Sequence, residues 1–311
     1  MNVLITGSNG FVGINLANAL KSKHFNIFFL ERNPIDNSNN TIIYADFSID
    51  FLNQNKIDTI IHLAGKAHDT KFVLNPNDYY LVNFELAKKI FDIFVQSNTN
   101  KFIFISSVKA SSDQVINQLN ENDLPNPDTH YGKSKLMAEK YMLLKSPLGK
   151  KVIILRPTMI HGPGNKGNLN FLYYFITKYK FWPLASFNNK RSLCSIGNFC
   201  FVIEEILLNN KIENGIYNVA DDDPLSTNEI VILISKNINK HVLFYKIPKY
   251  FIFFLGRLGD ILHLNLNTEK LTKLTENYIV SNTKITNAIG KKMPLSINEG
   301  LLITFESLKK E

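Results

Sequence analysis

The strongest constraint on the fold lies at the very start of the chain. An unbroken apolar run, Val3-Leu4-Ile5, meets Thr6-Gly7-Ser8-Asn9-Gly10-Phe11-Val12-Gly13, and Val12, Leu16, Ala19 and Leu20 then recur on one helical face. A strand that turns through three glycines into an amphipathic helix opens a strand–helix–strand unit, with a parallel sheet to follow. Glycine permits the tight turn and a close backbone approach, and the first helical turn offers unpaired N–H groups to an anion such as a pyrophosphate.

The rest of the first half keeps this rhythm. Apolar runs at 26–30, 41–44, 59–63, 101–106 and 152–155 are continuous rather than alternating, as in parallel strands covered on both faces. Ala87, Ile90, Phe91 and Phe94 share one helical face between two of them. The fold class is therefore α/β, a doubly wound parallel Rossmann sheet with a smaller C-terminal substrate-binding lobe. Residues 1–160 read as the dinucleotide-binding domain and 161–311 as the lobe, with helices at 168–178, 201–209 and 228–238. Part of that lobe is expected to return to the main sheet. No internal repeat is visible.

The net charge of +8 and pI near 9.2 do not point to nucleic acid, because lysines and arginines are scattered and form no phosphate-binding block. A positive field suits a doubly charged, nucleotide-linked substrate instead. Cys194 and Cys200 make neither a disulfide framework nor a metal site, and reduced thiols fit a cytoplasmic protein. No signal-peptide pattern precedes Val3. The run from Tyr250 to Leu255 is too short to span a bilayer, so no stable membrane insertion is expected. Leu258, Ile261 and Leu262 continue it at helical spacing. It reads as a buried or interface helix, with a membrane-surface role as the minor alternative.

A dinucleotide would meet Gly7, Asn9, Gly10, Phe11, Val12 and Gly13 at the turn. Glu31, at the end of the second strand, is suited to both ribose hydroxyls and favours NAD, while Arg32 keeps NADP open. Asp46 follows the third strand, where it could accept from an adenine amine. Leu63-Ala64-Gly65 follows the fourth and is small enough for backbone to approach the cofactor. Tyr131 and Lys135 stand one helical turn apart, and an ammonium lowers the pKa of a neighbouring phenol toward a useful base. Such a pair moves a hydroxyl proton while hydride moves to a nicotinamide. Ser107 can donate to the reacting oxygen. His68 near the cleft is a lesser candidate for substrate contact, and Arg191 could clamp a diphosphate.

These residues resemble the extended short-chain dehydrogenase/reductase family, the nucleotide-sugar epimerases and dehydratases, over essentially the whole chain. The motifs are Thr6-Gly7-x-x-Gly10-x-x-Gly13, His62-Leu63-Ala64-Gly65, Ser106-Ser107, Tyr131-x-x-x-Lys135, and Leu155-Arg156-Pro157 with His161-Gly162-Pro163-Gly164. The resemblance implies Ser107, Tyr131 and Lys135 as the catalytic trio, with Lys135 also on the nicotinamide ribose. Asp46 and Phe47 would hold the adenine, Asn83 would support the site, and Pro157 would border the cofactor. Asn168 and Leu169 would meet the diphosphate and uracil of a UDP-sugar, and Arg191 would grip its diphosphate. A homodimer is implied through helices near 86–96 and 131–144.

Two departures narrow the activity. Val108 and Lys109 stand where family dehydratases carry Asp-Glu, which disfavours elimination. The Arg-x-Gly-Asp segment usual in epimerases is absent from 273–282, and Ser195 and Asn198 replace a His and an Asp. The loop with Lys66 and His68, Lys109 beside Ser107, and Arg191-Ser192-Leu193 are similar to a subgroup acting on UDP-N-acetylhexosamines in surface polysaccharide synthesis. The expected activity is hydride transfer at C4, as 4-ketoreductase or 4-epimerase. A UDP-glucose/galactose 4-epimerase and a non-catalytic NAD(P)-binding sensor are the rivals.

Overall fold

A computed structural model describes residues 1–23, 25–32, 40–66, 75–262 and 267–309. In chain order the strands are β1 (Asn2–Thr6), β2 (Asn26–Glu31), β3 (Thr41–Ile43), β4 (Thr59–His62), β5 (Lys101–Ile105), β6 (Lys151–Pro157), β7 (Met159–His161), β8 (Phe181–Trp182), β9 (Leu193–Ser195), β10 (Gly215–Val219) and β11 (Leu243–Phe244). The helices are α1 (Phe11–Lys21), α2 (Ile49–Gln54), α3 (Asn77–Tyr80), α4 (Leu86–Gln96), α5 (His130–Leu144), α6 (Asn168–Tyr179), α7 (Ile196–Leu208), α8 (Thr227–Asn237), α9 (Lys249–Ile261), α10 (Thr268–Thr275), α11 (Thr283–Ile289) and α12 (Ile297–Leu308).

Among the described residues, seven strands form a parallel sheet in the order β10-β6-β5-β4-β1-β2-β3. β10 lies beyond residue 161 and pairs with β6, so the chain does return to the main sheet. The strand alternation divides the core. Val3, Ile5, Ile61, Ile103, Ile153 and Leu155 face α1 and α7, where Leu16, Leu20, Phe199 and Val202 pack on them. Leu4, Ile60, Phe102, Phe104, Val152 and Ile154 face the other way, onto Phe91, Phe94 and Met142 of α4 and α5. Both faces are covered, which is why the strands read as continuous apolar runs. A separate apolar cluster in the C-terminal half joins Leu172 and Ile176 of α6, Val231 and Ile234 of α8, and Leu301 and Phe305 of α12.

The strand order reverses on either side of β1, whose neighbours are β2 and β4. Thr6 at its end lies opposite Leu30 on one side and His62 on the other. The carboxyl ends of the strands there open a crevice, the usual ligand position in such a sheet.

Candidate active site

The turn after β1 is built for close approach. Gly7 has φ +72°, and a Cβ on it would stand 2.7 Å from the Ala64 nitrogen, so both conformation and space require glycine. Gly10 N donates to Gly7 O at 3.1 Å, and α1 starts at Phe11 with no side-chain cap on its N–H groups. Asn9 and Gly10 are exposed, Gly13 is buried, and Val12 lines the cleft described below. At the end of β2, Glu31 accepts a 2.5 Å hydrogen bond from Ser8 Oγ, which ties it to the turn. Arg32 is exposed beside it. Free N–H groups with a carboxylate at the next strand end fit a dinucleotide. Asp46 is exposed after β3, whereas the Phe47 side chain is buried in the core.

Beneath the turn, Thr6 Oγ1 hydrogen-bonds His62 Nδ1 at 2.7 Å and accepts from Ala64 N at 3.1 Å. His62 is fully buried and stacks on Phe104. Burial first, and then the Lys135 charge, pushes its pKa down to about 3. The unfolded chain protonates this imidazole below about pH 6.5, while the folded chain does not until about 3. Falling pH therefore favours unfolding across that window. At pH 5 the loss from this residue is about 2 kcal/mol. Urea midpoints at pH 7 and pH 5 should converge in His62→Gln relative to the parent; parallel shifts would refute the assignment.

A cleft of about 370 Å³ opens beside this turn. Its polar lining includes Ser107, Lys109, Tyr131, Lys135, Arg191 and Tyr278. Leu63, Gly65 and Pro157 line it too. Thr129 caps α5 by accepting from Gly132 N, which sets Tyr131 in the first turn. A Cβ on Gly132 would lie 2.3 Å from Lys109 O, so glycine lets α5 start against the turn that follows β5. Ser107 and Tyr131 line this cleft together. Burial raises the Tyr131 pKa, and the neighbouring Ser107 hydroxyl pulls it down. Lys135 donates to Ile105 O at 2.8 Å, and burial lowers its pKa to about 8.

A π-helical turn, Leu81–Glu85, links α3 to α4 and aims buried Asn83 at the loop after β4. Asn83 accepts from Lys66 N at 2.8 Å and donates to Lys66 O and to Ser134 Oγ. The Lys66 ammonium pairs with Asp78 at 2.8 Å. Lys109 donates to Asp113 O and lies 4.3 Å above the Tyr278 ring. Arg191 pairs with Glu276 at 3.6 Å, and burial lowers its pKa. Asn168 and Leu169 line a small recess that Arg191 and Met159 share with the cleft. Ser195 caps α7, and Asn198 donates to Asp221 at 2.7 Å, so both serve the fold. His68 lies outside the described residues.

Sequence reasoning missed two features. Tyr278 enters the cleft because its strand-like segment runs beside Arg191, with Ser192 N donating to Tyr278 O at 2.9 Å. Behind Ser106, a buried pair forms as Arg156 Nε and Nη2 donate to Glu139 at 2.9 and 2.6 Å. Ser106 Oγ donates to the same carboxylate. Glu139 lies one turn beyond Lys135 on α5, a spacing that could have flagged it. None of the described residues lining the cleft is Asp or Glu.

The profile of the NAD dependent epimerase/dehydratase family matches residues 3–220. A UDP-glucose 4-epimerase of Vibrio cholerae is 31% identical, covering 98% of this chain and 95% of the relative. An N-acetyl-alpha-D-glucosaminyl-diphospho-ditrans,octacis-undecaprenol 4-epimerase of Escherichia coli O157:H7 is 28% identical, covering 91% and 84%. The solved UDP-N-acetylglucosamine 4-epimerase of Bacillus cereus superposes with a TM-score of 0.78 at 20% identity, covering 99% of each chain. The glycine turn, the Tyr131/Lys135 helix and these matches agree: the chain belongs to the NAD-dependent epimerase/dehydratase family.

Proposed function

We propose that this enzyme exchanges hydride at C4 of a UDP-N-acetylhexosamine. The convergence of Ser107, Tyr131 and Lys135 on one cleft with Arg191, and with no carboxylate among the described residues that line it, carries the reading. Tyr131 exchanges the proton of the C4 hydroxyl, and Ser107 hydrogen-bonds the same oxygen. The Lys135 ammonium stabilises the phenolate, and Arg191 holds the diphosphate. NAD, when bound, supplies the ring that accepts and returns hydride. Epimerisation needs the ketone to turn over in the cleft before hydride returns; reduction does not.

The Vibrio cholerae, Escherichia coli and Bacillus cereus relatives are all 4-epimerases by name, which supports epimerase over ketoreductase. The homodimer belongs to the same proposal: Met137 and Leu144 of α5 are exposed on one of the helices expected to form it. Incubated with UDP-N-acetylglucosamine and no added reduced cofactor, the protein should yield the C4 epimer, followed by proton NMR. Stoichiometric NADH consumption with a 4-keto-6-deoxy sugar would identify the reductase instead. Inactivity in both assays would sink the C4 reading.

A further inference from the structure

Helix α9 does not enter the core. Its buried side is Ile252, Gly256 and Gly259, with Gly256 seated on Leu271 of α10. Tyr250, Phe254, Leu258 and Ile261 recur three or four residues apart on the opposite side. All four are exposed, Tyr250 and Ile261 at 78% and 72%. Phe251, Leu255 and Leu262 widen this outer stripe. A surface helix that faces water carries polar residues there, so the pattern of α9 is reversed.

The stripe continues into its neighbours. The rings of Phe175, Tyr179, Phe181 and Tyr245 stand in series, with centroids 5.0 to 6.2 Å apart. A depression of about 600 Å³ is lined by Tyr179, Phe181, Leu243 and Tyr245, with Lys180 and His241. Ser186 Oγ donates to Ile247 O at 2.7 Å, which ties the segment entering α9 to the same patch. Phe253 of α9 meets Phe187 edge-on at 5.8 Å. An exposed apolar face of this extent marks an interaction site.

Charge decides what covers it. Residues 171–183 and 240–262 carry Lys178, Lys180, Lys240, Lys246, Lys249 and Arg257 against one acid, Asp260, and so supply five of the net +8 charges. All six cations are exposed. Asp260 accepts from the N–H and hydroxyl of Thr268, at the start of α10. A second copy docked on this face would bring like charge to like charge. An anionic bilayer offers hydrocarbon to the phenylalanines and leucines, a polar–apolar boundary to the tyrosines, and phosphates to the lysines.

We propose that this face docks the enzyme on a bilayer of anionic phospholipid, with α9 lying in the plane of the headgroups. No helix among the described residues is long and apolar enough to cross a membrane, so the contact is peripheral. The docking residues are not among those lining the cleft of Tyr131. Docking therefore positions the enzyme without entering its chemistry, and it stands apart from the C4 reading.

Mixed vesicles of phosphatidylglycerol and phosphatidylcholine should carry the protein down on sedimentation. Phosphatidylcholine alone should bind it at least about tenfold more weakly. Phe254→Glu combined with Leu258→Glu should weaken binding to the mixed vesicles at least about tenfold. Lys246→Gln combined with Lys249→Gln should weaken it about thirtyfold. Both double variants should keep the parent's thermal midpoint. Equal capture by neutral vesicles, no capture by either kind, or undiminished capture of both variants overturns the proposal. A dimer that dissociates on Phe254→Glu with Leu258→Glu, in a protein that binds no vesicle, assigns the face to a second copy and overturns it too. Sugar turnover enters none of these readings, so their failure leaves the C4 reading standing.

Discussion

Tyr131→Phe should cut kcat by about a thousandfold, within the roughly 10²–10⁴ that a positioned proton donor or acceptor contributes. The substitution removes one oxygen and keeps the ring, which contacts Tyr79 edge-on at 6.2 Å. NAD affinity and thermal stability should therefore hold, so the loss belongs to chemistry rather than folding. A variant retaining a tenth or more of the parent kcat would remove Tyr131 from the mechanism. Burial raises the phenol's pKa, and one of the three Lys135 N–H donors is bound to the Ile105 carbonyl.

The sheet was legible because its physics is local. A parallel strand buried on both faces must be apolar throughout, so β1, β2, β4, β5 and β6 announce themselves as runs, and three glycines after β1 leave few alternatives to a phosphate turn. The catalytic helix was legible because four-residue spacing is one helical turn. What escaped depends on contacts between distant segments. Tyr278 reaches the cleft only because 276–281 runs beside Arg191 and Ser192, a pairing across more than eighty residues that no window of sequence contains. The start of α7 at Ile196, ahead of the helix expected at 201–209, follows from Ser195 capping Asn198 N. The π turn that aims Asn83 carries no proline or glycine to mark it. His68, expected near the cleft, falls outside the described residues, so the loop after Lys66 adds nothing to either side of the comparison.

Arg156→Met should destabilise the protein by about 3–5 kcal/mol, the usual cost of stranding one member of a buried ion pair. Arg156 and Glu139 are 0% and 1% exposed, so no water can take over the missing partner. Arg156 Nη1 has no hydrogen-bond partner among the described residues even in the intact pair, which means the pair is held at some desolvation expense. Removing both charges, in Glu139→Leu with Arg156→Met, should therefore be less destabilising than Arg156→Met alone, because no bare carboxylate is left inside. Guanidinium unfolding of the two singles and the double measures this as a coupling energy. Additive losses would mean that the two side chains do not depend on each other. The pair also reaches the chemistry. Glu139 accepts from Ser106, next to Ser107, and sits one turn from Lys135 on the helix that carries Tyr131. Strand β5, strand β6 and helix α5 thus meet at one carboxylate. A double variant that recovers stability but not kcat would separate the two tasks: folding needs only that no charge be stranded there, whereas catalysis needs the three elements held in register.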